Sequence, residues 1–259
     1  MPSAYLLVSH GSRDPRPEVA MEQLVRLLSY SPEQISVSNQ QRFGDRFRRL
    51  PAVSISPIKQ PLVDRACLEL SPLSLAQQIV EFSGRALIQG YNKVQIVPIF
   101  LLPGTHVKED IPAQVAIAQQ TLGEITLDLR PYLGTHPGLV QFLAKKATKD
   151  IETWVLLSHG SRRPGAKEPV EAIAKQLNAV DTYWAIAPSL ETRLQALVKA
   201  GYQQIGIIPY FLFPGGITDA IAQSVAQLQR QLPGINLRLT EPIGASAELA
   251  GLIWDLVEK

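Results

Sequence analysis

The chain has 259 residues, 46% of them hydrophobic, and a formal net charge of +2. That hydrophobic fraction fills a core and excludes an intrinsically disordered chain, while the near-neutral balance excludes a broad basic face for nucleic acid. A single cysteine, Cys67, excludes an internal disulfide framework and any multi-cysteine zinc or iron–sulfur site.

In chain order the predicted elements alternate between strand and helix. The first half gives strands near 4–9, 64–69, 94–100 and 125–130, and helices near 16–29, 74–89, 110–121 and 138–148. The second gives strands near 153–157, 182–187, 204–210 and 235–239, with helices near 166–178, 189–200, 218–231 and 246–257. The strands are short apolar runs bounded by Gly and Pro, the pattern of strands buried on both faces. Alternation of this kind predicts the α/β class: two tandem doubly wound domains, residues 1–149 and 150–259, each a four-stranded parallel sheet with helices on both faces. The apolar run Tyr5–Val8 is too short for the core of a signal peptide. The charge-free stretch 200–218 approaches the roughly 20 residues of a membrane span. It contains Gln203, Gln204, Pro209 and Pro214, which fit a buried strand and a loop better. A cytoplasmic protein with no membrane or nucleic-acid partner is expected.

The two halves repeat one another. Residues 5–15, YLLVSHGSRDP, match residues 154–164, WVLLSHGSRRP, at seven of eleven positions. Residues 96–104, IVPIFLLPG, match residues 207–215, IIPYFLFPG, at six of nine. The offsets are 149 and 111, so the first copy holds 38 extra residues between its motifs. They fall mainly in 31–65, a stretch rich in Ser, Gln, Pro and Arg that carries six cations, Arg46 among them, against three carboxylates. A loop this long inside a compact domain is usually functional or disordered; a merely solvated insertion is the plainer reading.

In doubly wound sheets ligands sit beyond the carboxyl ends of the strands. Both SHGSR motifs directly follow a first strand, which puts His10 and His159 at that edge. The PGTH motif ends in His106 after the third strand, and strands one and three are often neighbours, so His10 and His106 can face one cleft. Glu69, in CLELSP at the end of the second strand, supplies a carboxylate there. Imidazole suits iron, cobalt, nickel or zinc, and when neutral it accepts a proton. The second copy lacks this set. Ile217 stands where His106 would be, and aligning Pro72 with Pro188 puts Ala185 opposite Glu69. One complete site is therefore expected, in the first domain, with His159 kept as a secondary candidate. His136 is read as capping a helix start, and Cys67 as a small core residue.

LLVSHGSRDP, CLELSPLSLAQQI and VQIVPIFLLPGTHVKEDIPAQV resemble the sirohydrochlorin chelatases, the class II tetrapyrrole chelatases, and the resemblance covers nearly the whole chain except 31–65. It implies two similar α/β domains and ATP-independent insertion of Fe2+ or Co2+ into sirohydrochlorin, on the way to siroheme or cobalamin. By motif, His10 and His106 resemble the family's metal-binding and proton-accepting histidines and Glu69 its acidic partner. Ser9, Gly11, Ser12, Arg13, Gly104, Thr105 and Arg46 are candidates for holding the polycarboxylate substrate. The divalent metal is then a substrate, and no permanently bound cofactor is expected. Because fusion supplies internally what short relatives obtain by dimerising, a monomer with pseudo-two-fold domains is expected. Insertion replaces two pyrrole protons by one cation, so two imidazoles and a carboxylate that leave coordination positions open suit a metal in transit. Histidine also changes charge near neutral pH.

Two other readings use the same residues. One is a metal or tetrapyrrole carrier that inserts nothing. The other is a phosphotransfer enzyme with His10 as nucleophile, although Ser9 stands where the Arg-His-Gly turn of some phosphatases has its arginine. Iron is not separable from cobalt by residue type, iron being a slight preference only. If the basic insertion steers an anionic substrate, deleting residues 36–60 raises KM and weakens its salt dependence. Unchanged kinetics across a salt series contradicts this.

Overall fold

The computed structural model describes residues 3–30 and 60–258; the expected loop cations of 31–59, including Arg46, lie outside the described residues. The first sheet contains β1 (Ser3–Ser9), β2 (Val63–Cys67), β3 (Lys93–Pro98) and β4 (Thr126–Leu129), all parallel, in the order β2-β1-β3-β4. The second contains β5 (Thr153–Ser158), β6 (Ala179–Tyr183), β7 (Gln204–Pro209) and β8 (Asn236–Leu239), again all parallel, in the order β6-β5-β7-β8. The chain steps from β1 to β2 on one side, then crosses to β3 on the other. The reversal opens a crevice at the carboxyl ends of β1 and β3, and the same holds for β5 and β7.

Helices α1 (Pro15–Leu28), α2 (Leu75–Ile88), α3 (Ile111–Thr121) and α4 (Gly138–Ala144) belong to the first half in sequence. Helices α5 (Glu168–Gln176), α6 (Leu190–Lys199), α7 (Gly216–Gln231) and α8 (Ala247–Glu258) follow in the second. Local chemistry sets several of their starts. Asp14 caps α1 by accepting the Arg16 amide, with Pro15 in the first turn. Ser74 and Gln77 form a reciprocal capping box at α2. The His136 ring accepts the Gly138 amide at 3.0 Å, so it caps α4 as its sequence context predicts.

Three apolar clusters hold the layers. One packs α2 and α3 on the outer face of the first sheet, through Ile79, Phe82, Ile96 and Ile111. Another packs α6 and α7 on the second sheet, through Leu157, Leu194, Ile207 and Ile221. The third runs through both halves, joining Leu7, Leu24 and Val97 to Leu156, Val170 and Ile208. Sequence order puts α8 in the second half, but in space it lies against α1 and β3 of the first sheet. Trp254 stacks edge-on against Tyr5 with ring centroids 5.0 Å apart. The Arg130 guanidinium donates twice to the Leu256 carbonyl, at 3.0 and 2.7 Å, satisfying an orphan acceptor at the helix end. The last helix therefore ties the halves into one core.

Two predicted elements and the burial of one residue differ. The second-half strand expected at 182–187 is β6 at Ala179–Tyr183. Asn178, at φ 51°, turns the chain directly from α5 into β6, and the apolar run that follows is the loop leading to Pro188. The helix expected from residue 110 begins earlier, with a π turn over His106–Asp110 ahead of α3. Pro112 has no amide to offer the preceding turn, which winds wider and closes through the Ile111 amide on the His106 carbonyl. Cys67, expected in the core, is half-buried beside the Ser9 hydroxyl (3.9 Å), because β2 is an edge strand.

A polar clamp also joins the halves. Arg16 binds Asp14 of its own loop and reaches Asp219 on α7 with both terminal nitrogens, at 2.9 and 2.6 Å. Its guanidinium holds the Asp14 carboxyl down at about 2 and lowers Asp219 as well. A carboxyl lowered in the folded state stabilises above its unfolded pKa and loses that contribution as pH falls towards the folded value. Arg16→Ala therefore lowers the urea midpoint at pH 6, and the gap from the wild type closes between about pH 4 and pH 2; a gap independent of pH contradicts the assignment. Trp254→Ala costs about 3 kcal/mol. Because the core is shared, denaturation of this variant stays a single transition for both halves; two separated transitions contradict the shared core.

Candidate active site

β1 lies between β2 and β3, so three chain segments leave the first sheet at one place. The ladder continues just past the strand ends: Leu68 donates to the Ser9 carbonyl and Glu69 to the His10 carbonyl, both at 2.9 Å, and Ile99 donates to Val8 at 2.8 Å. The backbone thus fixes Glu69 beside His10, although β2 ends at Cys67, two residues before the predicted position. Gly11 makes this approach feasible. Its φ is +98°, and a Cβ there would collide with the Glu69 carbonyl oxygen.

His10, Glu69 and His106 meet as the sequence led one to expect. A ligand atom from each lies within 4.8 Å of the others, the single such grouping among the described residues. The Glu69 carboxylate faces both rings, Oε2 3.9 Å from His10 Nδ1 and Oε1 4.0 Å from His106 Nε2. The rings are edge to face, with centroids 4.7 Å apart. These are not direct hydrogen bonds; they are spacings that one cation with bonds near 2 Å can bridge. His10 and Glu69 are about half exposed, and His106 is 32% exposed. The group is open on one side, unlike a closed structural site.

Asp110 is the residue that sequence reasoning missed. Its carboxylate lies 2.7 Å from His106 Nδ1. If Nδ1 donates to it, the Nε2 lone pair is left facing Glu69. A carboxylate behind a metal-binding imidazole fixes the tautomer and raises ligand basicity. The signal is present in HVKED, since residues four apart share a helix face, but the sequence pattern starts the helix only near 110.

The other candidates divide. Ser12 accepts the Asp14 amide at 3.1 Å, so its hydroxyl shapes the turn. Ser9 is turned towards Cys67. Arg13 is exposed at the mouth and has no carboxylate within 4.0 Å among the described residues. Gly104 is exposed and Thr105 half-buried, leading into the π turn, with the Gly104 carbonyl accepting the Lys108 amide. His159 stands apart from the cluster, exposed at the carboxyl end of β5. There the backbone repeats the first copy, the Ala185 amide donating to the His159 carbonyl at 2.9 Å as Glu69 does to His10. The Glu69–Ala185 equivalence is thus visible in the structure.

The CbiX family model matches residues 4–150 and again residues 153–259. The chain belongs to the CbiX family. A sirohydrochlorin ferrochelatase of Priestia megaterium is 28% identical over 175 residues, 62% of this chain and 66% of that protein. A sirohydrochlorin cobaltochelatase of the same bacterium is 23% identical over 271 residues, 98% of this chain and 78% of that protein. The structure of SirB from Bacillus subtilis with Fe3+ has the same fold, with a TM-score of 0.72 at 22% identity, covering 100% of this chain and 95% of that one. The two-domain chelatase architecture expected of this CbiX protein is therefore present. No helix among the described residues is long and apolar enough to cross a membrane.

Asp110→Asn keeps the shape but removes the charge behind His106. It weakens Co2+ binding at this site about tenfold to a hundredfold, read from the cobalt ligand-field absorbance during titration. Wild-type affinity in this variant contradicts a positioning role for Asp110.

Proposed function

We propose that the protein is a sirohydrochlorin chelatase that inserts Fe2+ or Co2+ without ATP, through one site in its first domain, residues 1–149. The observation that carries this reading is the open His10–Glu69–His106 group at the crevice between β1 and β3. The named activities of the relatives support it.

The chemistry follows from the donors. His10 and His106 present imidazole nitrogens, and Glu69 a carboxylate, to a divalent ion that arrives as substrate. Three protein donors leave positions for water or pyrrole nitrogen. The ion passes to the macrocycle by exchange of ligands, as pyrrole nitrogens replace imidazole and carboxylate. Each of two pyrrole N–H groups must give up a proton. An imidazole released from the metal, or the Glu69 carboxylate, is placed to receive it. Asp110 stabilises the imidazolium that forms at His106. Both protons then leave through the exposed side of the cleft. In the second domain, residues 150–259, Ala185 and Ile217 supply neither carboxylate nor imidazole, so that half acts as a wall of the substrate cleft and not as a second centre.

The test is anaerobic absorbance of sirohydrochlorin mixed with Fe2+ or Co2+. Insertion exceeds the spontaneous rate with wild type, falls by at least about a hundredfold in His10→Ala and in His106→Ala, and persists in His159→Ala. A folded protein that accelerates neither metal contradicts the reading. Equal loss in His159→Ala contradicts the single-site form of it.

A further inference from the structure

The duplication provides an internal comparison, and the two SHGSR loops have diverged in charge. Residues 12–18 of the first copy, SRDPRPE, carry two cations and two carboxylates. Their counterparts 161–167, SRRPGAK, carry three cations and no carboxylate. Arg163 replaces the helix cap Asp14, Gly165 replaces the clamp Arg16, and Lys167 replaces Glu18. The turn itself is kept: Ser161 Oγ accepts the Arg163 amide at 3.2 Å, as Ser12 accepts that of Asp14.

Two structural consequences follow. Without the aspartate cap, α5 begins at Glu168 with no side-chain cap, whereas α1 begins at Pro15, the position equivalent to 164. Without the arginine, the clamp has no mirror image. The repeat offsets of 149 and 111 pair Arg16 with Gly165 and Asp219 with Lys108, and glycine and lysine cannot form a salt bridge. The ion-pair clamp is thus made by the first-copy loop and not by its counterpart. Beside the second-copy loop lies a cleft of about 470 Å3 lined by Ser161–Glu168, Glu171, Ile186 and Ala187. That size falls within the range of small-molecule sites.

The cations at this cleft are available. Arg162 and Arg163 are exposed, and neither has a carboxylate within 4.0 Å among the described residues. Lys167 is half-buried and held in place, donating to the Ala187 carbonyl at 2.9 Å over the face of Tyr183. An ammonium carries three donors, so two remain. Glu168 and Glu171, on the first turn of α5, are the opposing charges and lower the net balance of the lining to +1. The loop leaves the carboxyl end of β5, the position equivalent to that of the His10 loop at β1.

We propose that the Arg162–Arg163–Lys167 loop is a docking site for the peripheral carboxylates of the tetrapyrrole, built from the copy of the catalytic loop that lost its chemistry. The inference rests on the chelatase reading and gives the second domain a function within it. Arginine forks recognise carboxylates through paired, charge-assisted hydrogen bonds. Contacts to the substrate rim bind ground state and transition state alike, so they set KM and leave kcat unchanged.

The test removes two exposed loop cations in the full-length chain with Arg162→Ala/Arg163→Asp, the second change restoring the aspartate of the first copy, and compares Arg162→Ala/Arg163→Ala. A third protein, Lys199→Ala/Arg230→Asp, makes the same charge change at helix C-termini on the opposite edge of the sheet. Metal-free sirohydrochlorin is titrated by protein fluorescence over a salt series, and Co2+ affinity is measured separately. Both loop variants weaken sirohydrochlorin binding by about tenfold or more and flatten its salt dependence. KM rises with kcat unchanged, Co2+ affinity is unchanged, and the opposite-edge variant behaves as wild type. Wild-type sirohydrochlorin affinity in the loop variants overturns the inference. So does equal loss in the opposite-edge variant, which assigns the effect to overall charge. If the wild-type chain itself binds no sirohydrochlorin, the chelatase reading falls and this inference with it.

Discussion

The placement of β1 between β2 and β3 is the constraint on which the rest of the molecule depends. Parallel pairing on both sides brings the ends of all three strands to one crevice, and the segment leaving each strand carries a residue that can bind metal or move a proton. His10 follows β1 at once, Glu69 comes two residues after β2, and His106 lies in the turn beyond β3. The amide bond from Glu69 to the His10 carbonyl locks two of those residues together. Gly11 permits it, and the wide turn before Pro112 brings the third. None of these contacts is strong alone. Their precision comes from the sheet, which cannot shift register without moving a buried face.

The second sheet repeats the same backbone and carries different chemistry. The strand order, the SHGSR turn and the amide-to-carbonyl bond after the first strand are all kept. The carboxylate and second imidazole have become Ala185 and Ile217, and the loop charge has moved from neutral to cationic. A duplicated fold can diverge this way because its loops contribute little to the core. The stability of both halves is held elsewhere, by a shared apolar layer, by α8 packed across onto the first sheet and by the Arg16 clamp.

Much of this was legible in the sequence for particular reasons. The strands are dense apolar runs closed by Gly or Pro, and the repeat fixed the equivalence of the two halves. His10, Glu69 and His106 could be assembled because each follows a strand in a fold whose ligand edge is known in advance. Three things were not legible. Strand β6 was displaced because VDTYWAIA is apolar beyond its hydrogen-bonded part, and only the pairing with β5 shows where it stops. The pairing of Asp110 with His106 is hidden because the sequence pattern starts the helix near 110, past His106, and the π turn that joins them has no sequence period of its own. The crossing of α8 leaves no trace in one-dimensional periodicity, since an amphipathic helix looks the same whichever sheet it covers.

The account centres on metal that passes through His10, Glu69 and His106 into a macrocycle. The most direct measurement is a single-turnover transfer: protein loaded anaerobically with limiting Co2+ is mixed with metal-free sirohydrochlorin. The cobalt ligand-field spectrum and the macrocycle spectrum are then followed together. The account predicts that the protein-bound signal decays at the rate at which cobalt-sirohydrochlorin appears, and that Glu69→Ala abolishes both signals. Cobalt that stays on the protein while the macrocycle remains empty, or transfer at the wild-type rate in Glu69→Ala, contradicts it.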